Sequence, residues 1–156
     1  MGLYLPSRAA WVAAALLLSG ALGVAPRPSH AFCFEEAAAR YGVPEVLLRT
    51  IAELESGLDP EAAGWNADGS VDVGLMQINS WWESRLGPER WIRVCTDPCY
   101  NVLVGAWVLR DCLARYGYTV DGIGCYNARS PEKRERYTRK ILRSLVDQVS
   151  RGSAAE

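Results

Sequence analysis

Eighteen consecutive residues, Ala9 to Pro26, carry no charge and are rich in Ala and Leu. This run limits how much of the chain is available to fold. Arg8 precedes it, and Ser29-His30-Ala31 follows with small residues at the two positions a signal peptidase reads. The pattern predicts an export leader cleaved after Ala31. An uncleaved membrane anchor is the competing reading, since the run approaches the shortest spanning length. Its Ala/Gly-rich composition and the cleavage site favour the leader. Lipid attachment at Cys33 is disfavoured by Phe32, which stands where a small residue is needed. The expected folding unit is therefore one domain, residues 32–150, between the leader 1–31 and a frayed tail 151–156. With 49% apolar residues overall, the chain is too hydrophobic for a disordered tail and suits a compact core.

Residues 1–31 hold Arg8 and Arg27 but no acidic side chain, so 15 of the 17 basic groups face 18 acidic ones beyond them, a net charge of −3. The leader also contains the single histidine, His30. Without it there is no Ser-His-Asp or Cys-His catalysis and no His-ligated zinc. A Walker loop and a dinucleotide glycine fingerprint are absent as well. Catalysis is left to carboxylates, tyrosines, lysines or thiols.

Cys33, Cys95, Cys99, Cys112 and Cys125 all lie beyond residue 31. In an exported chain this predicts disulfides before metal or redox chemistry. Cys95 and Cys99 resemble half a metal site with no matching second half, so neither a metal nor another cofactor is expected. Five is an odd number, so at least one thiol is left over. Spacing alone does not choose among the possible pairings.

Helical signals dominate. Glu35 to Tyr41 reads as a short helix stopped by Gly42, and Pro44 opens a second helix that Gly57 closes. Gly57 to Gly74 reads as loop with a small β element near Ser70–Val73. Ser80-Trp81-Trp82-Glu83 has the form of a capping box before a short helix. Asp97-Pro98 starts a long apolar helix with Val102, Ala106, Leu109, Leu113 and Tyr116 at core spacing. A short helix near Asp121–Ala128 follows. Ser130-Pro131 then begins a last helix, with Tyr137, Ile141, Leu145 and Val149 along one stripe. The fold class is mostly α (α+β). Seven basic residues between Arg129 and Arg143 alternate with Glu132 and Glu135, which reads as a solvated helix face. Neither this face nor the net charge calls for a nucleic-acid partner.

One carboxylate stands out. Leu47, Leu48, Ile51 and Ala52 define the buried face of the second helix, and Glu55 continues it at i+4 from Ile51. Glu53 lies about 200° around from Ile51 and should be solvated. A carboxyl on an apolar face, in the last turn where the helix dipole is negative, is disfavoured as an anion. A carboxyl kept protonated in this way is suited to donating a proton to a leaving oxygen. A plain carboxylate at a frayed helix end would share the same spacing.

The downstream residues decide between these. Glu55-Ser56 is followed by Gly74-Leu75-Met76-Gln77-Ile78-Asn79 and later by Cys125-Tyr126-Asn127-Ala128. In this order the three motifs resemble those of the soluble lytic transglycosylases, within the lysozyme superfamily. From Cys33 to about Leu145 the chain is similar to the small periplasmic members that accompany secretion, pilus and conjugation machines. In these, a cysteine at the mature start and one in Asp-Pro-Cys recur, matching Cys33 and Asp97-Pro98-Cys99.

The resemblance implies a lysozyme-like helical fold with a small β lobe beside the cleft, and a monomer acting on peptidoglycan glycan strands in the periplasm. It implies that Glu55 is the acid and then the base. Gly74, Met76, Gln77 and Asn79 would line the sugar groove, while Tyr126 and Asn127 would position Glu55 and the substrate; the alternatives are core packing for Met76 and Tyr126, and turn or cap duty for Asn79 and Asn127. Asp72 lies seventeen residues after Glu55, the spacing of the catalytic aspartate in c-type lysozymes. It would stabilise a positively charged sugar, or else be a turn carboxylate. A transglycosylase needs no second carboxylate; a hydrolytic muramidase would use both. An inactive peptidoglycan-binding subunit is the third alternative. Trp65, Trp81 and Trp82 are candidates for sugar stacking or for the core. Two residues depart from the family pattern: Cys125 replaces its usual Ala and Arg129 its usual Gly. The resemblance favours a Cys33–Cys99 bridge, then Cys112–Cys125, which would reshape the third motif and leave Cys95 free.

Overall fold

A computed structural model describes residues 32–153; the leader assigned to 1–31 lies outside them. Helix α1 (Phe34–Tyr41) ends at Gly42, and α2 (Glu45–Ser56) ends at Gly57. Pro44 is the extended N-cap of α2 rather than its first helical residue. The segment read mostly as loop holds two strands, β1 (Ala63–Trp65) and β2 (Val71–Val73), and a third, β3 (Ile78–Asn79), forms inside the second motif. The three pair antiparallel in the order β1-β2-β3.

The capping box expected at Ser80 does not form. Asn79 is the cap instead: its side chain accepts from the Trp81 N–H at 2.9 Å and starts a 3₁₀ turn, Ser80–Trp82. The Ser80 hydroxyl is occupied elsewhere, accepting from the Val71 N–H at 3.1 Å. The short helix expected here is α3 (Glu83–Leu86); α4 (Pro88–Thr96) follows and was not expected from the sequence. Helix α5 (Pro98–Tyr116) has Asp97 as its N-cap, accepting from the Tyr100 N–H at 3.1 Å. Then come α6 (Val120–Gly124), capped by the Thr119 hydroxyl, and α7 (Pro131–Ser153). The fold is mostly helical with a small sheet at one side. Among the described residues no helix is long and apolar enough to cross a membrane.

Helix α5 is the central strut, packed by α1, α2, α4, α6 and β3. Its Val102, Ala106 and Leu109 are fully buried against Leu48, Ile51, Leu75, Met76 and Ile141. Each such Leu or Ile contributes about 1.5–3 kcal/mol by leaving water. Both expected stripes run out at one end. Tyr116 is exposed at the end of α5, and on α7 Val149 is 72% exposed, whereas Tyr137 and Ile141 are buried. Glu53, expected in open solvent, is half-buried, and its Oε2 accepts from Gln148 Nε2 on α7 at 2.7 Å.

The disulfides are Cys33–Cys99 and Cys112–Cys125, with Cys95 free and exposed. They span 66 and 13 residues, so loop closure alone favours the folded state by about 4 and about 3 kcal/mol. The first ties α1 to the start of α5. The second ties the third motif to the end of α5.

Candidate active site

Glu55 sits in the last turn of α2, half-buried, at the wall of a cleft of about 1040 Å³. Its Oε1 accepts from the Tyr137 hydroxyl at 2.6 Å. Burial pushes the Glu55 carboxyl above the ordinary glutamate value; the Tyr137 hydrogen bond opposes this, the Asp72 charge adds to it and Lys140 opposes it. Burial also raises the Tyr137 phenol far above its usual range, with the Glu55 charge adding to the effect, so Tyr137 stays a neutral donor. The same causes raise Tyr126.

The Glu-Ser pair has a local reason. Ser56 Oγ lies 2.9 Å from the Leu75 carbonyl and 3.0 Å from that of Ala52. Its hydroxyl thus joins the end of α2 to the second motif, which fixes Glu55 relative to that motif.

The second motif is itself a tight turn. Gly74 has φ +72°, and Gln77 has φ +45°, a left-handed conformation that disfavours a side chain. Gln77 offsets this by donating from Nε2 to the carbonyls of Gly74 (2.9 Å) and Ala62 (3.1 Å). Asn101, buried on α5, closes the turn from behind. Its Oδ1 accepts from the Met76 N–H at 2.8 Å, and its Nδ2 donates to Val73 O (2.9 Å) and Val94 O (3.1 Å). A Cβ on Gly74 would come within 2.3 Å of Asn101 Nδ2.

This turn corrects part of the expected groove. Gln77 and Asn79 do line the cleft, but Gly74 and the Met76 side chain do not. Gly74 is buried against Asn101, and Met76 is fully buried, with its side chain filling the space beside Gly105 where a Cβ would collide. Tyr126 lines the cleft, but its hydroxyl donates to the Met76 carbonyl at 2.7 Å. The phenol bonded to Glu55 is Tyr137, which sequence reasoning assigned to the α7 core stripe. A signal for it was present: a tyrosine on a buried stripe needs an acceptor, and a carboxyl on a buried stripe needs a donor.

Asp72, on β2, also lines the cleft. Its Oδ1 accepts from Asn79 Nδ2 and its Oδ2 from Asn66 Nδ2, both at 2.8 Å. Asn127 is exposed on the cleft wall. Trp81 and Trp82 line the cleft as well, packed edge to face with centroids 5.1 Å apart. Trp65 is 81% exposed on β1 and lines neither the cleft nor the core.

A desolvated carboxyl that shares an open groove with a second carboxylate and with tryptophan side chains suits proton transfer to a sugar bridge. The comparison with known proteins agrees: residues 32–144 match the transglycosylase SLT domain. The chain belongs to the SLT family. At family level its function is therefore of the lytic-transglycosylase type, and its fold is lysozyme-like. This SLT chain is 41% identical to "Invasion protein IagB" of Salmonella typhimurium (strain LT2) over 117 residues, covering 70% of this chain and 72% of the relative. It is 36% identical to "Protein IpgF" of Shigella flexneri over 127 residues, covering 78% and 84%. A "Peptidoglycan-binding-like protein" of Escherichia coli O157:H7 is 33% identical over 122 residues, covering 70% and 73%. The SLT motif departure at Cys125 is accounted for by its bond to Cys112, which anchors the third motif on α5.

Proposed function

We propose that this SLT domain cleaves the β-1,4 bond between MurNAc and GlcNAc in peptidoglycan and leaves a 1,6-anhydroMurNAc end. The observation that carries this reading is the Glu55 carboxyl, raised in pKa by burial yet reachable from the cleft. Protonated Glu55 gives its proton to the bridging oxygen as the C1–O bond breaks and the electron pair leaves with GlcNAc. The resulting carboxylate then takes the proton of the MurNAc C6 hydroxyl, whose oxygen closes on C1. Asp72 stabilises the transient positive charge, its carboxylate held by the Asn66 and Asn79 amides. Asn79 therefore acts on the substrate through Asp72, while Gln77, Tyr126 and Asn127 shape the groove.

Digesting purified peptidoglycan and analysing the products by mass spectrometry tests this. Anhydro ends are expected. Reducing MurNAc ends would instead mean a hydrolytic muramidase using Glu55 and Asp72, and intact strands would mean a peptidoglycan-binding accessory.

Tyr137 is a positioning residue in this scheme. Tyr137→Phe removes a bond that holds the Glu55 pKa down, so the acid stays protonated to higher pH. The alkaline limb of the pH–rate profile moves upward, while the loosened carboxyl lowers kcat about tenfold. A limb that stays in place would show that the bond does not tune Glu55.

We place the protein in the periplasm, delivered by residues 1–31, where its two disulfides persist. Its likeness to an "Invasion protein" supports local wall opening for an envelope-spanning secretion or pilus machine.

A further inference from the structure

The cleft continues past Asn79 and Trp81 into a second hollow of about 320 Å³, and Asn127 and Arg129 line both. Along this groove the balance of charge shifts towards positive. The main cleft carries the carboxyls of Glu55, Asp68 and Asp72 alongside Arg129 and Lys133. The hollow carries Arg85, Arg115, Arg129 and Arg134 against a single carboxylate, Asp111. Two of these arginines are already committed. Arg115 is paired with Asp111, and Arg134 lies 3.6 Å from Asp121 Oδ1 and donates to the Ala128 carbonyl at 3.0 Å.

Arg85 and Arg129 make no ion pair among the described residues. Both are exposed, and both rest on Trp81, with guanidinium carbons 5.6 and 5.9 Å from its ring centroid. The platform beneath them is braced: Trp81 packs edge-on against Trp82, and Trp82 against Trp107. A stacked guanidinium is held in place while its N–H fork stays free, an arrangement suited to a carboxylate. Arg129 is also the position where the family pattern has Gly.

We propose that Arg85 and Arg129 form a carboxylate-binding arm for the peptide branch of the glycan, so that the protein prefers strands bearing acidic peptides. The inference rests on the peptidoglycan-cleaving reading above. The peptide is joined to the lactyl group of MurNAc, so a sugar seated in the main cleft projects its branch sideways. The branch carries free carboxylates on side chains and at its end. The neighbouring hollow offers two uncommitted cations to meet them.

The test compares kcat/KM on three forms of one peptidoglycan: native, carboxyl-amidated so that the branches are neutral, and stripped of peptide by an amidase. For the unaltered protein the native form is cut about tenfold more efficiently than the amidated one, the effect of one charge-assisted contact at a partly exposed site. Arg85→Gln brings that ratio towards one, Arg129→Gln does the same, and Arg85→Glu inverts it. Equal rates on native and amidated strands would overturn the arm. So would a stripped strand cut as well as the native one, because stripping leaves only the lactyl carboxylate. These failures are separate from failure of the underlying reading, which would show as no anhydro ends on any of the three substrates.

Discussion

Glu55→Gln lowers the rate of peptidoglycan cleavage by about 10²–10⁴, the usual contribution of a positioned general acid, while making the folded protein more stable at neutral pH. The two effects have one cause. Burial raises the Glu55 carboxyl above its unfolded value of 4.5, so the folded state holds this proton more tightly than the unfolded chain does. Its contribution to stability is complete below pH 4.5 and is lost as pH rises through the folded pKa. Above that, the native state holds an anion it solvates poorly. Glutamine keeps the shape and can still accept from Tyr137, but carries no charge. The difference in melting temperature between variant and unaltered protein should therefore be near zero at acidic pH and grow towards neutrality. Unchanged turnover would remove Glu55 from the chemistry. A melting difference independent of pH would mean that its environment is not desolvating.

Asn101→Ala lowers stability by about 4 kcal/mol, or roughly 15 °C in melting temperature for a domain of this size. Asn101 is 1% exposed and satisfies three backbone groups at once: the Met76 N–H and the carbonyls of Val73 and Val94. An alanine leaves these groups in a space too apolar to replace the bonds, each a loss of about 1–3 kcal/mol before relaxation. Because the Met76 N–H belongs to the second motif, the damage has a local signature. Hydrogen exchange at that amide should accelerate well beyond exchange in α5. A loss under about 1 kcal/mol, or protection retained at Met76, would show that the turn holds itself without Asn101.

Much of the site was readable in the residues. Glu55 could be found because helical spacing placed a carboxyl on an apolar face, and that spacing is a local property of about three consecutive turns. The caps at Gly57 and Asp97 were legible for the same reason. Strand β3 was not, because two residues carry too little pattern and form a strand only where β2 offers an edge. At the cap, Asn79 was only the alternative, because Ser80 fits a capping box by local rules, yet the Ser80 hydroxyl is taken by the Val71 N–H across the sheet. Met76 could be read from its motif as a groove residue or as core, and the gap at Gly105 on α5, 29 residues further on, draws it into the core.

The sequence by itself determined the helical class, the ordered motifs and the choice of Glu55 as the proposed acid, since these follow from periodicity, capping and residue type along a short stretch. Only the tertiary structure decided which phenol serves that acid. Tyr137 and Glu55 are 82 residues apart, and the buried stripe that marks Tyr137 as needing an acceptor does not say which one. Contact between buried polar groups is settled by how α7 packs across α2, where each must find a partner because water is excluded.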